Sequence, residues 1–105
     1  MKPGSEKNWQ VYIILCADDS FYTGITTNAE KRFLQHKDGR GAKYFRGHQP
    51  LKLIYLESGY DRSAATKKEL EIKRLKHSEK CLLILSDMNE LKRTELSTLS
   101  FTAPS

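Results

Sequence analysis

The sequence has no long uninterrupted run of apolar residues anywhere in its 105 positions. A membrane-crossing helix needs about 18 such residues in a row, so a transmembrane helix is excluded. Residues 1–8 are polar and lack the apolar stretch of a secretory signal peptide. We therefore expect a flexible N-terminal lead at residues 1–8 and a cytoplasmic location.

Cysteine is also scarce, since Cys16 and Cys81 are the two in the chain. Neither belongs to a Cys-x-x-Cys or Cys-x-His pattern, whereas a structural zinc site needs four ligands at short spacings. A zinc centre of that kind is excluded. Without an export signal we expect two reduced and mostly buried thiols, and the sequence leaves a single disulfide open.

The length and apolar content of the chain limit its architecture. A chain of this length forms one domain, because each of two domains would be too short to build a core. Apolar residues make up 38% of the sequence, which is enough for one small core but not for a large enclosed substrate cavity. We expect the domain at residues 9–85, followed by a short terminal helix and tail at residues 86–105.

Positive charge is in excess, with 18 Lys and Arg against 13 Asp and Glu and a net charge of +5. Residues 32–56 alone also carry +5, because Asp38 is the one acid among the basic residues Arg32, Lys37, Arg40, Lys43, Arg46 and Lys52. Aromatic residues and glycines lie between these cations. Such a composition suits a nucleic-acid surface, where cations contact phosphates and rings stack on bases. It equally suits a solvated loop whose aromatic residues belong to the core, so both interpretations stay open.

A β-hairpin followed by a helix is predicted at the start of the domain. Residues 9–16 and 21–25 are rich in β-branched and aromatic side chains and flank a turn at residues 17–20. Thr27 and Glu30 form a capping-box pattern, which predicts a helix over residues 28–37 that ends at Gly39. Residues 39–47 contain three glycines and no periodicity, which predicts a loop.

The rest of the chain predicts one more strand and further helices. Residues 51–56 read as a strand, Asp61 or Ser63 caps a long helix, and Ser78 begins another that reaches Leu85. A short terminal helix is predicted from residue 87 to Leu96. The order β-β-α-β-α-α predicts an α+β fold, a three-stranded and mainly antiparallel sheet flanked by helices.

Side chains suited to phosphodiester chemistry lie on these elements. Tyr12 and Tyr22 belong to the hairpin strands, Arg32 and His36 share one face of the first helix, and Glu69 lies in the second helix. Cleavage of a phosphodiester needs a group that activates water, a cation for the phosphate and a carboxylate for a metal. Each residue taken singly is more common as packing or surface charge, so the joint pattern carries the argument.

That ordered set resembles the GIY-YIG nuclease domain. Its parts are Val11-Tyr12-Ile13, Tyr22-Thr23-Gly24, Arg32, His36 and Glu69, and the resemblance covers residues 10–80. Residues 22–27, 41–44 and 61–63 are similar to the small single-domain bacterial members, the UPF0213-like group. The resemblance implies a GIY-YIG-like fold and a metal-dependent endonuclease that hydrolyses phosphodiester bonds in DNA, including structured or damaged DNA.

The resemblance also implies a role for each matching residue. Tyr12 would take a proton from the attacking water, and Tyr22 would line the site and contact the phosphate or the water. Arg32 would stabilise charge on the phosphate. His36 would hydrogen-bond to Tyr12 or share the proton transfer, and Gly24 would let a strand and a helix approach closely.

The same resemblance implies that Glu69 binds one divalent cation, Mg²⁺ or Mn²⁺. Glu69 is preferred to Glu71 because a hydrophobic residue and a lysine follow the family's glutamate at this spacing, here Ile72 and Lys73. Helical phase does not decide between the two glutamates. Outside the catalytic residues, the resemblance and the local charge favour phosphate contacts from Arg40, Lys43 and Arg46.

A shared site requires Tyr12 and Tyr22 to point to the same face of the sheet. Side chains alternate along a strand and both residue numbers are even, so the hairpin loop must contain an odd number of residues. We predict a three-residue loop at residues 18–20, or a bulge with the same effect.

The sequence departs from the family pattern at several positions. Val11 stands in place of a motif glycine and Thr23 in place of an isoleucine, and both suit a strand. Many active members have an asparagine where this chain reads Lys80-Cys81-Leu82, and Asn89 lies too far along to replace it.

Two other functions therefore stay open. One is a non-catalytic nucleic-acid-binding module on the same fold. The other is a protein-interaction domain that uses the leucine-rich residues 81–99, although these residues more simply cap the sheet. We expect a monomer whose partner is DNA, with branched, nicked or single-stranded DNA as candidate substrates, and no membrane partner.

Overall fold

The computed structural model describes residues 6–93 of the chain. These residues form the strands β1 (Trp9–Cys16), β2 (Phe21–Thr26) and β3 (Pro50–Tyr60) and the helices α1 (Ala29–Lys37), α2 (Arg62–Lys73) and α3 (His77–Ile84). Two 3₁₀ turns lie at Lys43–Arg46 and Glu90–Arg93. Within this part of the chain, no helix is both long enough and apolar enough to cross a membrane.

The three strands form one antiparallel sheet in the order β2-β1-β3, so β1 is the central strand. Val11 and Ile13 of β1 join a core cluster with α2, whereas Tyr12 and Ile14 join a second cluster with Ala29 at the start of α1. Helices therefore cover both faces of the sheet. The predicted α+β fold and its element order are confirmed.

The hairpin loop places Tyr12 and Tyr22 on the same face of the sheet, as predicted. Tyr22 pairs with Ile14, which lies two residues from Tyr12 on β1. The loop has the predicted odd length but comprises residues 17–19, because the N–H of Cys16 already bonds to the carbonyl of Ser20 at 2.9 Å. The last loop residue is left-handed, with φ 67°, as three-residue hairpin loops require.

The start of α1 differs by one residue from its predicted cap. Asn28 is the N-cap, and its Oδ1 accepts the N–H of Lys31 at 3.1 Å. The capping-box pattern predicts Thr27 for this position. The N–H of Ala29 is bonded to the side-chain oxygen of Gln10 at 2.8 Å, which ties the first turn of the helix to β1. This hydrogen bond between residues far apart in sequence lies where α1 starts one residue later than predicted.

Two other helix ends match their predictions, whereas α3 begins at His77 after the N-cap Lys76 and not at the predicted Ser78. Gly39 has a φ of +81° directly after the C-cap of α1, which confirms the predicted stop. Of the two candidate caps for α2, Asp61 is the one used, since its Oδ1 accepts the N–H of Ala64 at 2.8 Å. Both cysteines are free, with Cys16 buried and Cys81 half-buried.

Strand β3 runs to Tyr60, beyond the predicted end at Leu56. Side chains from later in the chain accept hydrogen bonds from backbone N–H groups on the outer edge of β3. Asn89 Oδ1 accepts the N–H of Leu56 at 3.2 Å, and the carboxylate of Glu90 accepts the N–H of Ser58 at 2.6 Å. These distant partners support the strand through a segment whose local composition favours a turn.

The terminal helix predicted from residue 87 to Leu96 is observed as the 3₁₀ turn Glu90–Arg93, and residues 94–96 lie outside the described part. Leu82 and Leu85 of the predicted interaction segment are well exposed. The use of that surface by a partner protein stays a prediction.

Candidate active site

A buried hydrogen bond between Tyr12 and His36 lies at the centre of the candidate site. Tyr12 Oη and His36 Nε2 are 3.0 Å apart, and the two residues are 1% and 2% exposed. Tyr12 comes from the central strand and His36 from the last turn of α1. The fold thus joins two of the residues that the sequence pattern predicts in one site.

The second nitrogen of the His36 ring contacts the segment between α1 and β3, residues 38–49, which we call the basic loop. The backbone N–H of Ala42 donates to Nδ1 at 3.2 Å. Gly41 lies against the imidazole so closely that a Cβ there would overlap Nδ1, which explains the need for glycine. Burial lowers the pKa of His36 to about 4, with Arg32 acting in the same direction. The ring is therefore neutral at pH 7.

Aromatic side chains form a wall beside this hydrogen bond. The ring of Tyr22 lies 6.3 Å from that of Tyr12 and 5.5 Å from that of His36, measured between centroids. Tyr44 and Phe45 of the basic loop lie 5.4 and 4.7 Å from Tyr22. We call Tyr22, Tyr44 and Phe45 the aromatic wall. The two loop aromatics are half-buried against the site.

Arg32 supplies positive charge one helical turn before His36. Its Nη1 donates to Gln35 Oε1 at 3.0 Å. The guanidinium favours the ionised form of Tyr12, but the pKa of Tyr12 is still raised well above its usual value. Burial is the main cause and Tyr22 adds to it. The Tyr12 hydroxyl is therefore protonated at neutral pH.

The two glutamates of α2 have different surroundings. The side chain of Glu69 is 18% exposed and that of Glu71 is 69% exposed. Glu69 Oε2 lies 3.3 Å from Lys73 Nζ, and its charge contributes to the raised pKa of Tyr12. The charge of Glu71 raises the pKa of Tyr60 instead. Of the two glutamates, Glu69 is thus the one whose charge influences Tyr12.

The donor set suits magnesium better than a metal that needs many protein ligands. Among the described residues, no group of three or more His, Cys, Asp and Glu side chains could hold a metal by itself. Mg²⁺ commonly binds one or two carboxylates and completes its shell with water and substrate phosphate. The half-buried Glu69 carboxylate fits that mode of binding.

Gly24 lies directly opposite Tyr12 in the hairpin. A Cβ at Gly24 would come within 2.5 Å of Tyr12 Oη and 2.7 Å of the ring carbon Cζ. The predicted close approach is present, but its partner is the Tyr12 ring of the neighbouring strand rather than a helix. Any larger residue would displace the tyrosine, so Gly24 permits the hydrogen bond to His36.

The predicted phosphate-binding residues all lie on the basic loop. Arg40 Nη2 pairs with Asp38 Oδ2 at 2.8 Å, and both side chains are exposed. Lys43 and Arg46 are exposed in the 3₁₀ turn and form no ion pair with any residue that the structure describes. Their contact with nucleic acid stays a prediction.

The side chain of Asn89 has a structural role, since it bonds to backbone groups of several elements. Its amide oxygen accepts the N–H groups of Leu56 and Leu91, and its amide nitrogen donates to the carbonyls of Ile54 and Ile84. The side chain is fully buried, and these four bonds use its hydrogen-bonding capacity. Asn89 therefore does not replace the family's asparagine as a ligand for phosphate.

Several residues that shape the site have no role predicted from the sequence. Gly41 and Ala42 belong to a segment similar to the small family members, and Phe45 is one aromatic among others in a basic stretch. In the structure, Phe45 lies 4.3 Å from the His36 ring, measured between centroids. The sequence signal for these residues is a glycine next to a run of basic and aromatic residues. The role of that glycine can be interpreted only when the path of the loop is known.

Comparison with known proteins identifies the class of this fold and site. The GIY-YIG catalytic domain family matches residues 8–81, a range that contains the hairpin, α1 and α2. The chain therefore belongs to the GIY-YIG family. This domain has a nuclease-type fold and implies a nucleic-acid substrate.

Within that family the chain is similar to UPF0213 proteins. It is 44% identical over 77 residues to one from Natronomonas pharaonis, covering 73% of this chain and 91% of the relative. It is 47% identical over 76 residues to one from Clostridium perfringens, covering 72% and 82%. The solution NMR structure of a UPF0213 protein from Bacillus halodurans matches with a TM-score of 0.52 and 34% identity, over 83% of this chain and 93% of that one.

Proposed function

We propose that the protein is a metal-dependent endonuclease that hydrolyses phosphodiester bonds in DNA, including structured or damaged DNA. The observation that best supports this proposal is the buried hydrogen bond between Tyr12 and His36. The charges of Arg32 and Glu69 both influence the pKa of this tyrosine. A core with a packing role alone gains nothing from a buried polar pair that is influenced by the charges of a cation and a carboxylate. Phosphodiester hydrolysis needs these groups together.

Arg32 and the aromatic wall bind and orient the phosphate in this proposal. A guanidinium is always charged and presents paired donors that match phosphate oxygens, so Arg32 stabilises the charge that develops in the transition state. The half-buried rings of the aromatic wall exclude water around that position. Low local polarity strengthens the attraction between Arg32 and the phosphate.

Tyr12 holds or moves the proton of the attacking water. Its pKa is raised, so its hydroxyl is protonated before substrate arrives, and only added positive charge makes it a base. Arg32 already acts in that direction. When bound at Glu69, Mg²⁺ or Mn²⁺ would polarise a phosphate oxygen and neutralise the carboxylate that raises the pKa of Tyr12.

The test is cleavage of branched, nicked, single-stranded and plain duplex DNA with Mn²⁺ or with EDTA. Wild type is compared with Arg32→Ala and Glu69→Ala. We expect metal-dependent cleavage that falls by about 100-fold or more in both variants. Undiminished cleavage by both purified and folded variants would overturn the proposal.

A non-catalytic nucleic-acid-binding module is the second candidate. It is favoured by the pairing of Glu69 with Lys73 at 3.3 Å, which occupies the carboxylate, and by the raised pKa of Tyr12. This function predicts binding that weakens as salt rises, because cations on the protein displace counterions from the phosphates. It also predicts no cleavage of any DNA in the same panel.

A further inference from the structure

The basic loop is attached to the rest of the domain near both of its ends. Near its start, Ala42 bonds to His36. At its end, His48 Nδ1 lies 2.6 Å from Asp18 Oδ2 on the tip of the β1–β2 hairpin. Beside this pair, the N–H of Ala17 donates to the carbonyl of Gln49 at 2.8 Å. Lys43, Tyr44, Phe45 and Arg46 lie between the two attachments.

A continuous series of contacts leads from the hairpin tip to the aromatic wall. The rings of His48 and Tyr44 are stacked, with centroids 4.1 Å apart and planes 11° from parallel. Tyr44 in turn lies 5.4 Å from Tyr22. Ser20 Oγ donates to Asp18 Oδ1 at 2.6 Å, which orients the carboxylate toward His48. Asp18 and His48 are therefore connected to the aromatic wall through the stacking of His48 on Tyr44.

These residues do not form a second hydrolytic centre, although an acid, a histidine and a serine meet there. In a Ser-His-Asp site the serine and the acid bind opposite nitrogens of the imidazole. Here Ser20 Oγ lies 3.5 Å from Nδ1, the same nitrogen that faces Asp18. The arrangement can hold a loop in place but cannot activate the serine.

We propose that Asp18 and His48, which we call the hairpin clamp, are positioning residues for the basic loop. The clamp holds Tyr44 against Tyr22 and keeps Lys43 and Arg46 where they bind nucleic acid. It therefore acts first on the binding of substrate and only indirectly on the chemical step. The inference rests on the proposed function for its substrate, whereas the clamp is a feature of the fold.

A matched pair of variants tests the clamp through binding. Asp18→Asn removes the charge that faces His48, and Asp19→Asn removes the same charge one residue away, at a left-handed position that asparagine tolerates. Both changes make the protein more positive, which alone strengthens binding to a polyanion. We expect Asp18→Asn to raise the Kd and KM for DNA by about three- to ten-fold relative to Asp19→Asn, since a half-exposed pair contributes modestly. We expect kcat to change less than KM, and equal affinities of the two variants would overturn the proposal.

Two substitutions at His48 separate its two contacts. His48→Phe keeps a ring for stacking on Tyr44 and loses the donor to Asp18, whereas His48→Asn keeps a donor and loses the ring. We expect both to weaken binding. In the His48→Phe background, we expect Asp18→Asn to change the affinity no more than Asp19→Asn does, because Asp18 has lost its partner and only the charge effect remains. Full additivity of these two changes would contradict the clamp.

A spectroscopic readout keeps the clamp separate from the proposed nuclease activity. In NMR spectra of the free protein, we expect Asp18→Asn to shift the amide resonances of residues 43–47, and Asp19→Asn to leave them in place. The absence of such shifts would overturn the clamp. If the shifts occur in a protein that neither binds nor cleaves DNA, the proposed function fails and the positional role is supported.

Discussion

Ala42 donates its backbone N–H to Nδ1 of His36, while Nε2 of the same ring faces Tyr12 Oη at 3.0 Å. A backbone amide can only donate, so Nδ1 is an acceptor and the neutral ring carries its proton on Nε2. His36 therefore donates to the tyrosine oxygen. This leaves the hydroxyl proton of Tyr12 free to move elsewhere. In the proposed function, His36 would therefore stabilise a tyrosinate rather than accept its proton.

The first prediction concerns the protonation state of this ring. We expect the ¹⁵N chemical shifts of His36 to show the neutral form with the proton on Nε2 at pH 7. Because burial lowers its pKa to about 4, the same form should persist until the pH approaches that value. A proton on Nδ1, or a titration near the pH of a free histidine, would contradict the assignment.

The second prediction is a loss of stability in acid. The folded protein binds the His36 proton less readily than the unfolded chain does, so stability is complete above the unfolded pKa and falls as the pH decreases toward about 4. The expected contribution of His36 to the unfolding free energy over this window is about 3 kcal/mol. Urea denaturation at several pH values measures it. His36→Gln should lack this component, and an unchanged pH profile in that variant would contradict the prediction.

The third prediction concerns the glycine beside His36. Gly41→Ala should destabilise the protein by about 1–3 kcal/mol, because the added methyl group overlaps the imidazole and the basic loop must move. Gly47→Ala is the matched control in the same loop, since no atom lies within 4 Å of a Cβ there. We expect the control to be neutral in urea denaturation. Equal effects of the two substitutions would show that the Gly41 contact is not tight.

The fourth prediction concerns Asn89. Asn89→Ala leaves buried backbone groups of β3 and α3 without partners, and we expect a loss of about 3 kcal/mol in unfolding free energy. Thermal and urea denaturation measure the loss. At a temperature where the variant is fully folded, we expect its cleavage rate per folded molecule to match wild type. A stable variant that has lost cleavage would instead assign Asn89 to the substrate.

Most of the fold could be predicted from the sequence because its elements have strong local signals. The run of β-branched and aromatic residues predicts β1 with its observed ends. The full length of β3 could not be predicted, since the backbone N–H and the hydroxyl of Ser58 bond to the distant Glu90 at the edge of the strand. The local sequence also could not predict that Asn28 rather than Thr27 is the N-cap of α1, because both residue types cap helices well.

The candidate site, like the fold, could be predicted only in part from the sequence. Tyr12 and Tyr22 lie on paired strands, so the length of the hairpin loop is enough to predict that they share one face of the sheet. The place of Arg32 beside them is implied by the resemblance to the family. The attachments of the basic loop could not be predicted, because Asp18 and His48 are far apart in sequence and their contact depends on the path of an irregular segment. Loops of this kind need the folded structure for their interpretation.

The measurement that tests the central claim most directly compares Glu69→Gln with Glu71→Gln in a DNA cleavage assay with Mn²⁺. Both variants lose one carboxylate from the same helix, but the half-buried Glu69 acts on Tyr12, whereas the exposed Glu71 does not. We predict that Glu69→Gln lowers the cleavage rate by about 100-fold or more and that Glu71→Gln retains the wild-type rate. Equal activity of the two variants would contradict the account of this site as a metal-dependent nuclease centre.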